Sequence, residues 1–238
     1  MAFKQEFLKK YKHIFFDLDH TLWDYDANAA LALYELYDQY EISKIADCTK
    51  EQFVAQFFEV NESIWDLYNK HQIERAHIRE RRFATIFDRL NIKLHIAPQQ
   101  FDIEYVDLCP TKENVFEGTH DILNYLKGNY KLHIITNGFD DVQYTKMKCA
   151  KIDHYFDVVV TSENSKSRKP APEIFQLALS KSGATLQESI MIGDNLDSDI
   201  MGARNFGMDH IWFNPEKKQS QIPPTYEIQA LYQLRNLL

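Results

Sequence analysis

The chain has 238 residues, of which 45% are apolar, and its 35 acidic side chains outnumber its 27 basic ones, giving a formal net charge of −8 at pH 7. This composition predicts a globular protein rather than a disordered one, with room for one large domain or for a core domain that carries a smaller one. An acidic chain does not favour broad binding to a nucleic acid polymer or an anionic membrane, so an anionic substrate must be met by local positive groups or a metal ion.

Cysteine usage and the amino-terminal residues bear on the compartment. Three cysteines, Cys48, Cys109 and Cys149, are far apart and include no Cys-x-x-Cys pair, so neither a disulfide framework nor a zinc site is predicted. Residues 1–12 carry four lysines and lack the apolar run of about 7–15 residues that a signal peptide requires. No stretch approaches the ~18 consecutive apolar residues of a membrane helix. The expectation is a cytoplasmic protein that does not enter a membrane.

The first predicted element is a strand, and a long helical region follows it. Residues 13–18 form a short apolar run of the kind that is buried on both faces of a parallel sheet. Thr49 and Gln52 then form a capping-box pattern, and the apolar residues after it recur at intervals of three or four, as an amphipathic helix requires. Further helical patterns continue to residue 108. We therefore expect an all-helical domain over 24–112, inserted directly after the first strand.

From residue 119 onward, short apolar runs alternate with helical patterns. Four more strands are predicted, at 130–136, 157–161, 189–193 and 209–213. One intervening helix is marked by Pro172 at its start and Gly183 at its end. Alternation of this kind predicts βαβ units around a parallel sheet with helices on both faces. The predicted fold class is α/β, with a core formed by residues 1–23 and 113–238.

Two carboxylates, Asp17 and Asp19, stand at the end of the first strand and are followed by Thr21. Positions i and i+2 of a strand share a face, so we expect both carboxylates to reach a common ligand. Paired carboxylates suit Mg²⁺, which prefers oxygen ligands; a solvated turn is the alternative, because Asp and Thr are ordinary turn residues. In an extended chain the neighbouring His20 points away from this face, so we expect it to be a bystander.

Further polar groups follow other predicted strands, at the edge where open α/β sheets bind ligands. Thr136, Asn137 and Gly138 end one strand and open a helix, where hydroxyl and amide groups can bind an anion. Lys169 precedes a proline and is held on a stiff loop. Taken singly, the threonine could be a helix cap and the lysine a solvated surface residue.

Three aspartates, Asp194, Asp197 and Asp199, follow another predicted strand. They repel one another unless a cation or a helix N-terminus offsets their charge. First-turn acids of a helix explain Asp197 and Asp199 well but Asp194 less well. Because all these groups recur at successive strand ends, we favour one joint site over several unrelated caps and turns.

These residues, in this order, resemble the motifs of the haloacid dehalogenase-like hydrolase superfamily. The shared pattern is Asp-x-Asp-x-Thr after the first strand, a threonine after a later strand, a lysine before a proline-containing helix, and Gly-Asp-x-x-x-x-Asp. The resemblance covers essentially the whole chain. It implies a Rossmann-like core with a helical cap of the C1 type, inserted where the helical region was predicted.

The resemblance also implies roles for four residues in phosphoryl transfer. Asp17 would be the nucleophile that forms an aspartyl-phosphate, and Asp19 would protonate the leaving oxygen and then deprotonate the attacking water. Thr136 and Lys169 would hold the phosphoryl oxygens. Phosphoryl transfer is catalysed mostly by positioning and by neutralising charge, which such a set supplies.

The metal and anion contacts follow in the same way. Mg²⁺ would be bound by Asp17, by the backbone carbonyl of Asp19 and by Asp194, with Asp199 in support. We assign substrate contacts in the core to a second group, of two polar residues and one glycine: Thr21, Asn137 and Gly138.

The second carboxylate separates a phosphatase from other readings. Dehalogenases of the same superfamily characteristically lack an aspartate at the position of Asp19, so a phosphatase is favoured over a haloacid dehalogenase. A receiver domain would place its acidic pair on the first strand and its phosphorylated aspartate on a later one, and it would be far shorter. A phosphate-binding protein without turnover stays open as an alternative from another class.

The cap residues bear on the substrate. The cap segments 60–68 and 79–83, together with 162–163, 169–170 and 225–228 of the core, resemble the YjjG-type 5'-nucleotidases, which implies a small-molecule phosphate ester, a nucleoside monophosphate, as substrate. Residues 164–167 depart from the glycine-containing loop that is common in the family before the lysine. A sugar phosphate or phosphoglycolate is the alternative substrate, and either a monomer or a homodimer is expected.

Three cap residues are candidates for contacts with a nucleotide. Trp65 could stack on a base, and Asn61 or Arg82 could contact the base or the sugar. Aromatic residues at helical spacing are more often part of a core, and arginines more often lie on a solvated face.

Overall fold

The computed structural model of the chain describes residues 11–93, 96–97 and 99–238. Residues 1–10 lie outside this description. They include most of residues 1–12, which were predicted not to form a signal peptide, and the start of the predicted core segment 1–23. Six strands are described: β1 (His13–Phe16), β2 (Lys131–Thr136), β3 (Phe156–Thr161), β4 (Ser189–Gly193), β5 (Asp209–Phe213) and β6 (Tyr226–Ile228).

All six strands form one parallel sheet in the order β3-β2-β1-β4-β5-β6. The predicted α/β fold class is therefore confirmed. The first strand lies in the middle, where Phe15 is opposite His133 of β2 and Met191 of β4. The carboxyl ends of these three central strands consequently meet at one edge of the sheet.

The sequence predicts five of the six strands. β1 ends at Phe16, two residues before the predicted end, because the chain turns there and the N–H groups of Leu22 and Trp23 both donate to the carbonyl of Leu18. β6 is not predicted, since it has only three residues and is an edge strand that pairs with β5 alone. Such a short run carries little alternation for a sequence pattern to detect.

Eleven α-helices are described in the chain outside its masked positions, and a π-helical turn, Leu196–Ile200, precedes the tenth. The helices are α1 (Tyr25–Gln39), α2 (Ile42–Ile45), α3 (Lys50–Asn69), α4 (Arg75–Arg89), α5 (Phe101–Leu108), α6 (Thr119–Lys127), α7 (Asp140–Cys149), α8 (Ser162–Ser165), α9 (Pro172–Ser182), α10 (Met201–Phe206) and α11 (Leu234–Leu237). Within the described ranges, no helix combines the length and the apolar character needed to cross a membrane.

The chain divides into two compact units. One is Asp26–Lys112, and the other joins Glu113–Leu238 to the segment that ends at Tyr25. The first unit contains helices and no strand among its described residues. In it, Thr49 and Gln52 form the predicted capping box at the start of α3. Its core is aromatic: successive rings pack at centroid distances of 4.7–5.8 Å among Phe53, Phe57, Phe83, Phe101 and Tyr105.

The second unit buries the central strands beneath helices. Phe15, Ile135 and Met191 belong to one buried cluster with Ile174 and Phe175 of α9. α9 begins with Pro172 and is followed by Gly183 in the left-handed conformation at φ 66°, as the sequence predicts. The sheet is thereby packed against a buried apolar layer, and the loops at its carboxyl edge carry the polar residues.

Candidate active site

The central strand ends bring the predicted polar residues together. Asp17 follows β1 directly, and its N–H donates to the carbonyl of Ile192 in β4 at 2.8 Å. Thr136 is the last residue of β2, and Asp194 follows the last residue of β4. Because β2, β1 and β4 are neighbours in the sheet, residues separated by more than a hundred positions in sequence meet at one edge.

Three carboxylates and one lysine form the centre of the site. Oxygens of Asp17, Asp194 and Asp199 lie within 4.8 Å of one another, an arrangement that could hold a metal ion. The Nζ atom of Lys169 lies 2.5 Å from Asp17 Oδ1, 2.6 Å from Asp199 Oδ1 and 2.8 Å from the carbonyl of Ile135. Lys169 is fully buried, so this ammonium is part of the site and not a solvated surface group.

The charges in this cluster are strongly coupled. Burial raises the pKa of Asp17 well above its usual value, and the carboxylates of Asp199 and Asp194 add to this against the opposing effect of Lys169. Burial and the charge of Asp199 raise the pKa of Asp194 to about 7. Burial opposes the charge of Lys169, but the carboxylates of Asp17 and Asp199 raise the pKa of its ammonium. The single positive charge of Lys169 therefore does not neutralise the negative charge of three carboxylates, whereas an added cation would offset it further.

The loop after β4 holds Asp199 in the cluster. The N–H of Asn195 donates to Asp199 Oδ2 at 3.0 Å, and the hydroxyl of Ser198 donates to Oδ1 at 3.2 Å. Gly193 makes this approach possible, because a Cβ there would lie 2.3 Å from Asp199 Oδ2. Asp197 is exposed. The structure therefore places Asp199, and not Asp197, beside Asp17.

Asp194 is held by one residue from the turn after β1 and one from β5. The hydroxyl of Thr21 donates to Asp194 Oδ1 at 3.0 Å, so this predicted substrate contact orients a carboxylate of the cluster. The indole Nε1 of Trp212 in β5 donates to the backbone carbonyl of Asp194 at 2.8 Å. Trp212 was not predicted as part of the site, because an apolar residue inside a strand gives no sign of such a contact.

Asp19 has different neighbours from Asp17. Its Oδ1 accepts from the Nζ of Lys146 at 2.6 Å, and its Oδ2 accepts from the Nε2 of Gln143 at 2.9 Å. Burial alone would raise the pKa of Asp19, but the ammonium of Lys146 and these two hydrogen bonds lower it. The Asp19 carboxylate therefore lies against α7, outside the cluster of Asp17, Asp194 and Asp199, and the expectation that Asp17 and Asp19 reach a common ligand stays a prediction.

Thr136 and the two residues after it are bound into the protein framework. The Oγ1 of Thr136 accepts from the N–H of Gly138 at 3.1 Å and from Gln143 Nε2 at 2.7 Å. Asn137 donates its amide to the carbonyl of Lys169 at 2.9 Å and accepts from the N–H of Lys169 at 2.7 Å. Asn137 thus fixes the backbone that carries the lysine, and Gly138 leaves room for Gln143, as a Cβ there would lie 2.1 Å from Gln143 Nε2.

His20 differs from the expectation in its geometry. It has a φ of 61°, in the left-handed region, so the chain is not extended at this position and the alternation argument was wrong. The N–H of His20 donates to the carbonyl of Trp23 at 3.0 Å, and its ring packs 5.0 Å from that of Tyr25. A tight turn after β1, and not strand geometry, therefore determines where Asp19 points.

The three predicted cap contacts lie in the helical unit. Arg82 is buried, and its NH2 group lies 2.9 Å from Asp102 Oδ1 while its NH1 group lies 3.5 Å from Asn61 Oδ1. Its guanidinium also lies 4.7 Å from the ring of Tyr105. Asn61 is buried as well, whereas Trp65 is half-buried, with its ring 5.4 Å from that of Tyr68.

Gln143 and Lys146, which contact Asp19, were not predicted from the sequence. Both are buried, and they lie three positions apart on α7, so they share one helix face. The only signal in the sequence was a glutamine and a lysine on the helix face that also carries Met147. Without the contact to Asp19, 124 and 127 positions away, that signal does not indicate a role.

Comparison with known proteins places this geometry in context. A family model described as haloacid dehalogenase-like hydrolase matches residues 14–213. The chain is similar to the pyrimidine 5'-nucleotidase YjjG of Escherichia coli, with 30% identity over 232 residues that cover 96% of this chain and 98% of that protein. It is also similar to the pyrimidine 5'-nucleotidase PynA of Streptococcus pneumoniae, with 29% identity over 234 residues that cover 96% and 95%.

A solved structure matches at the level of the fold and the sequence. The magnesium-bound crystal structure of the HAD-hydrolase YfnB from Bacillus subtilis matches with a TM-score of 0.85 and 27% identity, covering 96% of this chain and 98% of that one.

Proposed function

The chain belongs to the haloacid dehalogenase-like hydrolase family, and we propose that it is a magnesium-dependent phosphatase that hydrolyses nucleoside 5'-monophosphates through an aspartyl-phosphate intermediate. The observation that carries the proposal is that the carboxylates of two aspartates have different neighbours. Asp17 lies in the acidic cluster beside Lys169, whereas the Asp19 carboxylate is held apart by Lys146 and Gln143. Covalent hydrolysis of a phosphate ester needs a nucleophile, which a carboxylate can supply, and a second group to move protons.

Asp17 is the proposed nucleophile. One of its carboxylate oxygens attacks phosphorus and forms an O–P bond while the bond from phosphorus to the leaving oxygen breaks. Lys169 contacts this carboxylate and so orients it, and its charge favours the ionised form that attacks. A water molecule then hydrolyses the aspartyl-phosphate, which regenerates the carboxylate and releases inorganic phosphate.

Asp19 is the proposed acid and base. In the first step it gives a proton to the leaving oxygen, and in the second it takes a proton from the attacking water, so it returns to its starting state. Its two carboxylate oxygens each accept one hydrogen bond from α7, and lone pairs of both oxygens are left for this proton.

Thr136 is the proposed donor to a phosphoryl oxygen. Its hydroxyl oxygen accepts from Gly138 and from Gln143, which occupies both acceptor positions. The hydroxyl can therefore meet an anion only by donating its own hydrogen. Lys169 adds a positive charge at the same strand ends, as a transferred phosphoryl group requires.

The acidic cluster fits Mg²⁺ as the proposed cofactor. All of its donors are oxygens, and its carboxylates exceed the positive charge of Lys169, so a hard dication suits it. Asp17, the backbone carbonyl of Asp19 and Asp194 would hold the ion, with Asp199 in support. When bound, the ion would offset the negative charge of the phosphoryl group and of the carboxylates. The magnesium-bound relative YfnB supports this assignment.

The substrate class rests on the relatives and on the helical region. YjjG and PynA are named pyrimidine 5'-nucleotidases, and both are similar to this chain over nearly its full length. We take residues 24–112 as a cap that supplies substrate contacts, with Trp65 as the candidate to stack on a base. Arg82 contacts both Asn61 and Asp102, which favours a supporting role for Asn61 and Arg82. We expect a cytoplasmic enzyme that is a monomer or a homodimer.

The test is phosphate release from a panel of nucleoside and deoxynucleoside 5'-monophosphates, sugar phosphates and phosphoglycolate, with Mg²⁺ and with EDTA. We expect release that needs Mg²⁺, is abolished by EDTA and is fastest with nucleotides. Faster release from sugar phosphates would remove the nucleotide assignment and leave the phosphatase. No release from any compound would contradict the proposal and favour a phosphate-binding protein.

Asp17→Asn tests the nucleophile. We expect phosphate release to fall to background with every substrate, because an amide oxygen does not form the aspartyl-phosphate. The matched control is Asp153→Asn, which removes the charge of an exposed aspartate of the same unit and should leave turnover unchanged. Near-normal turnover by Asp17→Asn would contradict the assignment.

A further inference from the structure

The helix α7 presents two polar side chains to Asp19 from one buried face. Gln143 is 0% exposed and Lys146 is 4% exposed, although glutamine and lysine are ordinarily found at the surface. We propose that Lys146 and Gln143 are positioning residues that hold the Asp19 carboxylate in the orientation needed for proton transfer to the leaving oxygen. This inference rests on the proposed phosphatase function and names residues that the family motifs do not include.

The two contacts fix the carboxylate by both of its oxygens. Lys146 Nζ lies 2.6 Å from Oδ1 and Gln143 Nε2 lies 2.9 Å from Oδ2. The terminal torsion of an aspartate is broad and roughly two-fold, so a carboxylate without such partners rotates readily. Here a rotation would break both hydrogen bonds at once. The orientation of Asp19 is therefore set by α7, which begins four residues after Thr136.

Lys146 is itself held in place by the turn that follows β1. Its Nζ lies 4.5 Å from the centre of the Trp23 ring and 5.5 Å from that of Tyr25. A cation over aromatic faces is attracted by their electron density, so the ammonium is fixed between these rings and the carboxylate. The same short segment thus supplies both the acid and the rings that hold its partner.

Gln143 links Asp19 to the phosphate-binding end of β2. Its Nε2 donates both to Asp19 Oδ2 and to Thr136 Oγ1, at 2.9 and 2.7 Å. The side chain passes over Gly138, where any Cβ would collide with it. Its Oε1 finds no hydrogen-bond partner among the described residues. Stability alone does not explain a buried amide with an unsatisfied oxygen, whereas a fixed distance between Asp19 and Thr136 does.

A merely structural ion pair would be replaceable by apolar side chains. Buried ion pairs are often no more stabilising than well-packed apolar residues of similar volume. The lysine at this position is therefore better explained by what it does to Asp19 than by the stability of α7. This distinction can be measured. Loss of a positioning residue should lower kcat/KM by an amount that depends on the leaving group, whereas loss of a merely structural ion pair should lower it equally for all substrates.

The experiment compares Lys146→Met with wild type on three kinds of phosphate ester. 4-Nitrophenyl phosphate has a weakly basic leaving group that departs without a proton, whereas uridine 5'-monophosphate and glycerol 2-phosphate have strongly basic alkoxides that need one. The quantity compared is kcat/KM, which covers the steps up to phosphoryl transfer to Asp17. Lys146→Arg tests for rescue, and the exposed Lys148→Met on the same helix is the matched control.

We expect Lys146→Met to lose about tenfold or more in kcat/KM for the alkyl phosphates and less than about twofold for 4-nitrophenyl phosphate, because general acid catalysis typically contributes 10²–10⁴-fold. Lys146→Arg should recover part of the loss, and Lys148→Met should match wild type. An equal loss on all substrates, or none, would overturn the positioning role. Thermal unfolding of each variant identifies a folding defect. If Lys146→Met has such a defect, the same comparison of substrates is made with Lys146→Arg and decides whether the positioning role holds.

The outcome for wild type separates the two proposals. Hydrolysis of 4-nitrophenyl phosphate and glycerol 2-phosphate without hydrolysis of the nucleotide would remove the nucleotidase assignment and still test Lys146. No hydrolysis by wild type of any of the three would overturn the phosphatase and the positioning role together.

Discussion

Gly193 determines how closely Asp199 approaches the rest of the acidic cluster. A Cβ at this position would lie 2.3 Å from Asp199 Oδ2, 2.5 Å from Cγ and 2.6 Å from Cβ. Rotating the carboxylate does not relieve a collision that includes the aspartate's own Cβ, so the whole side chain would have to move. The absence of a side chain at the end of β4 is therefore a requirement of the site.

Gly193→Ala should lower kcat/KM for phosphate release by about tenfold or more, the usual effect of disturbing residues that support metal ligands. The measurement is phosphate release as a function of Mg²⁺ concentration, in which the variant should need more Mg²⁺. Gly128→Ala is the control, because a Cβ there would lie 3.8 Å from the carbonyl of Tyr125 in ordinary contact. Wild-type kinetics in Gly193→Ala would contradict the role given to Asp199.

Individual site residues differ in how far the sequence reveals them. Asp17, Thr136 and Asp194 follow or end apolar runs, so their place at the strand ends can be read directly from the pattern. Lys146 lies in mid-helix, and its role depends on a contact that only the tertiary structure provides. The left-handed conformation of His20 was not predicted for a related reason, since a positive φ in a tight turn is not visible in a period-two pattern.

Among the strands, the buried ones were predictable from the sequence and the shortest one was not. β4 and β5 are bounded as predicted because they are short apolar runs that end at polar residues or glycine. The helix α3 was predictable from its capping box and its apolar spacing. β6, with three residues, is a strand only because β5 offers it an edge. Tertiary pairing of this kind has no local signature.

The contact between α4 and α5 includes an arginine that is buried because it forms an ion pair. Arg82 would ordinarily lie on a solvated face, yet its side chain is only 6% exposed because Asp102 of α5 neutralises it. Burial raises the pKa of Asp102 against the opposing effect of Arg82. The pair therefore joins two helices inside the helical unit, and its loss should be felt first as a loss of stability.

Asp102→Asn should lower the free energy of unfolding by about 2 kcal/mol, the scale of a hydrogen bond to a charged group. Urea unfolding measures this, and Asp88→Asn, at an exposed position of α4, is the control with an expected change near zero. The KM for the best substrate should stay within about twofold of wild type, because a twofold change represents less free energy than the loss of one hydrogen bond to the substrate. A large rise in KM at unchanged stability would instead return Arg82 to the substrate site.

The long insertion separates, along the chain, residues that pair in the centre of the sheet. His13 of β1 and His133 of β2 are 120 positions apart, and their ring nitrogens Nδ1 and Nε2 lie 3.0 Å from each other in a buried setting. The rings are stacked with centroids 5.2 Å apart. Neither residue was singled out from the sequence, because a lone histidine in an apolar run carries no information about its partner.

This pair should make the stability of the protein depend on pH. Burial, followed by the charge of His13, lowers the pKa of His133 to about 4, and burial lowers that of His13 as well. The unfolded chain binds a proton near the ordinary value of about 6.5, whereas the folded chain does not until the pH approaches 4. The contribution of the neutral pair is therefore fully present above pH 6.5 and is lost as the pH falls from there toward 4.

His133→Phe tests this linkage, because a phenyl ring fills similar space beside Phe15 and does not titrate. Urea unfolding at a series of pH values from 7.5 to 4.5 should show that wild type loses up to about 3 kcal/mol more than the variant, the free energy that a pKa shift of this size represents. His154→Gln removes an exposed histidine and should reproduce the wild-type slope. Parallel profiles for wild type and His133→Phe would mean that protonation of the pair does not oppose folding, and that the acid sensitivity of the sheet has its origin in other groups.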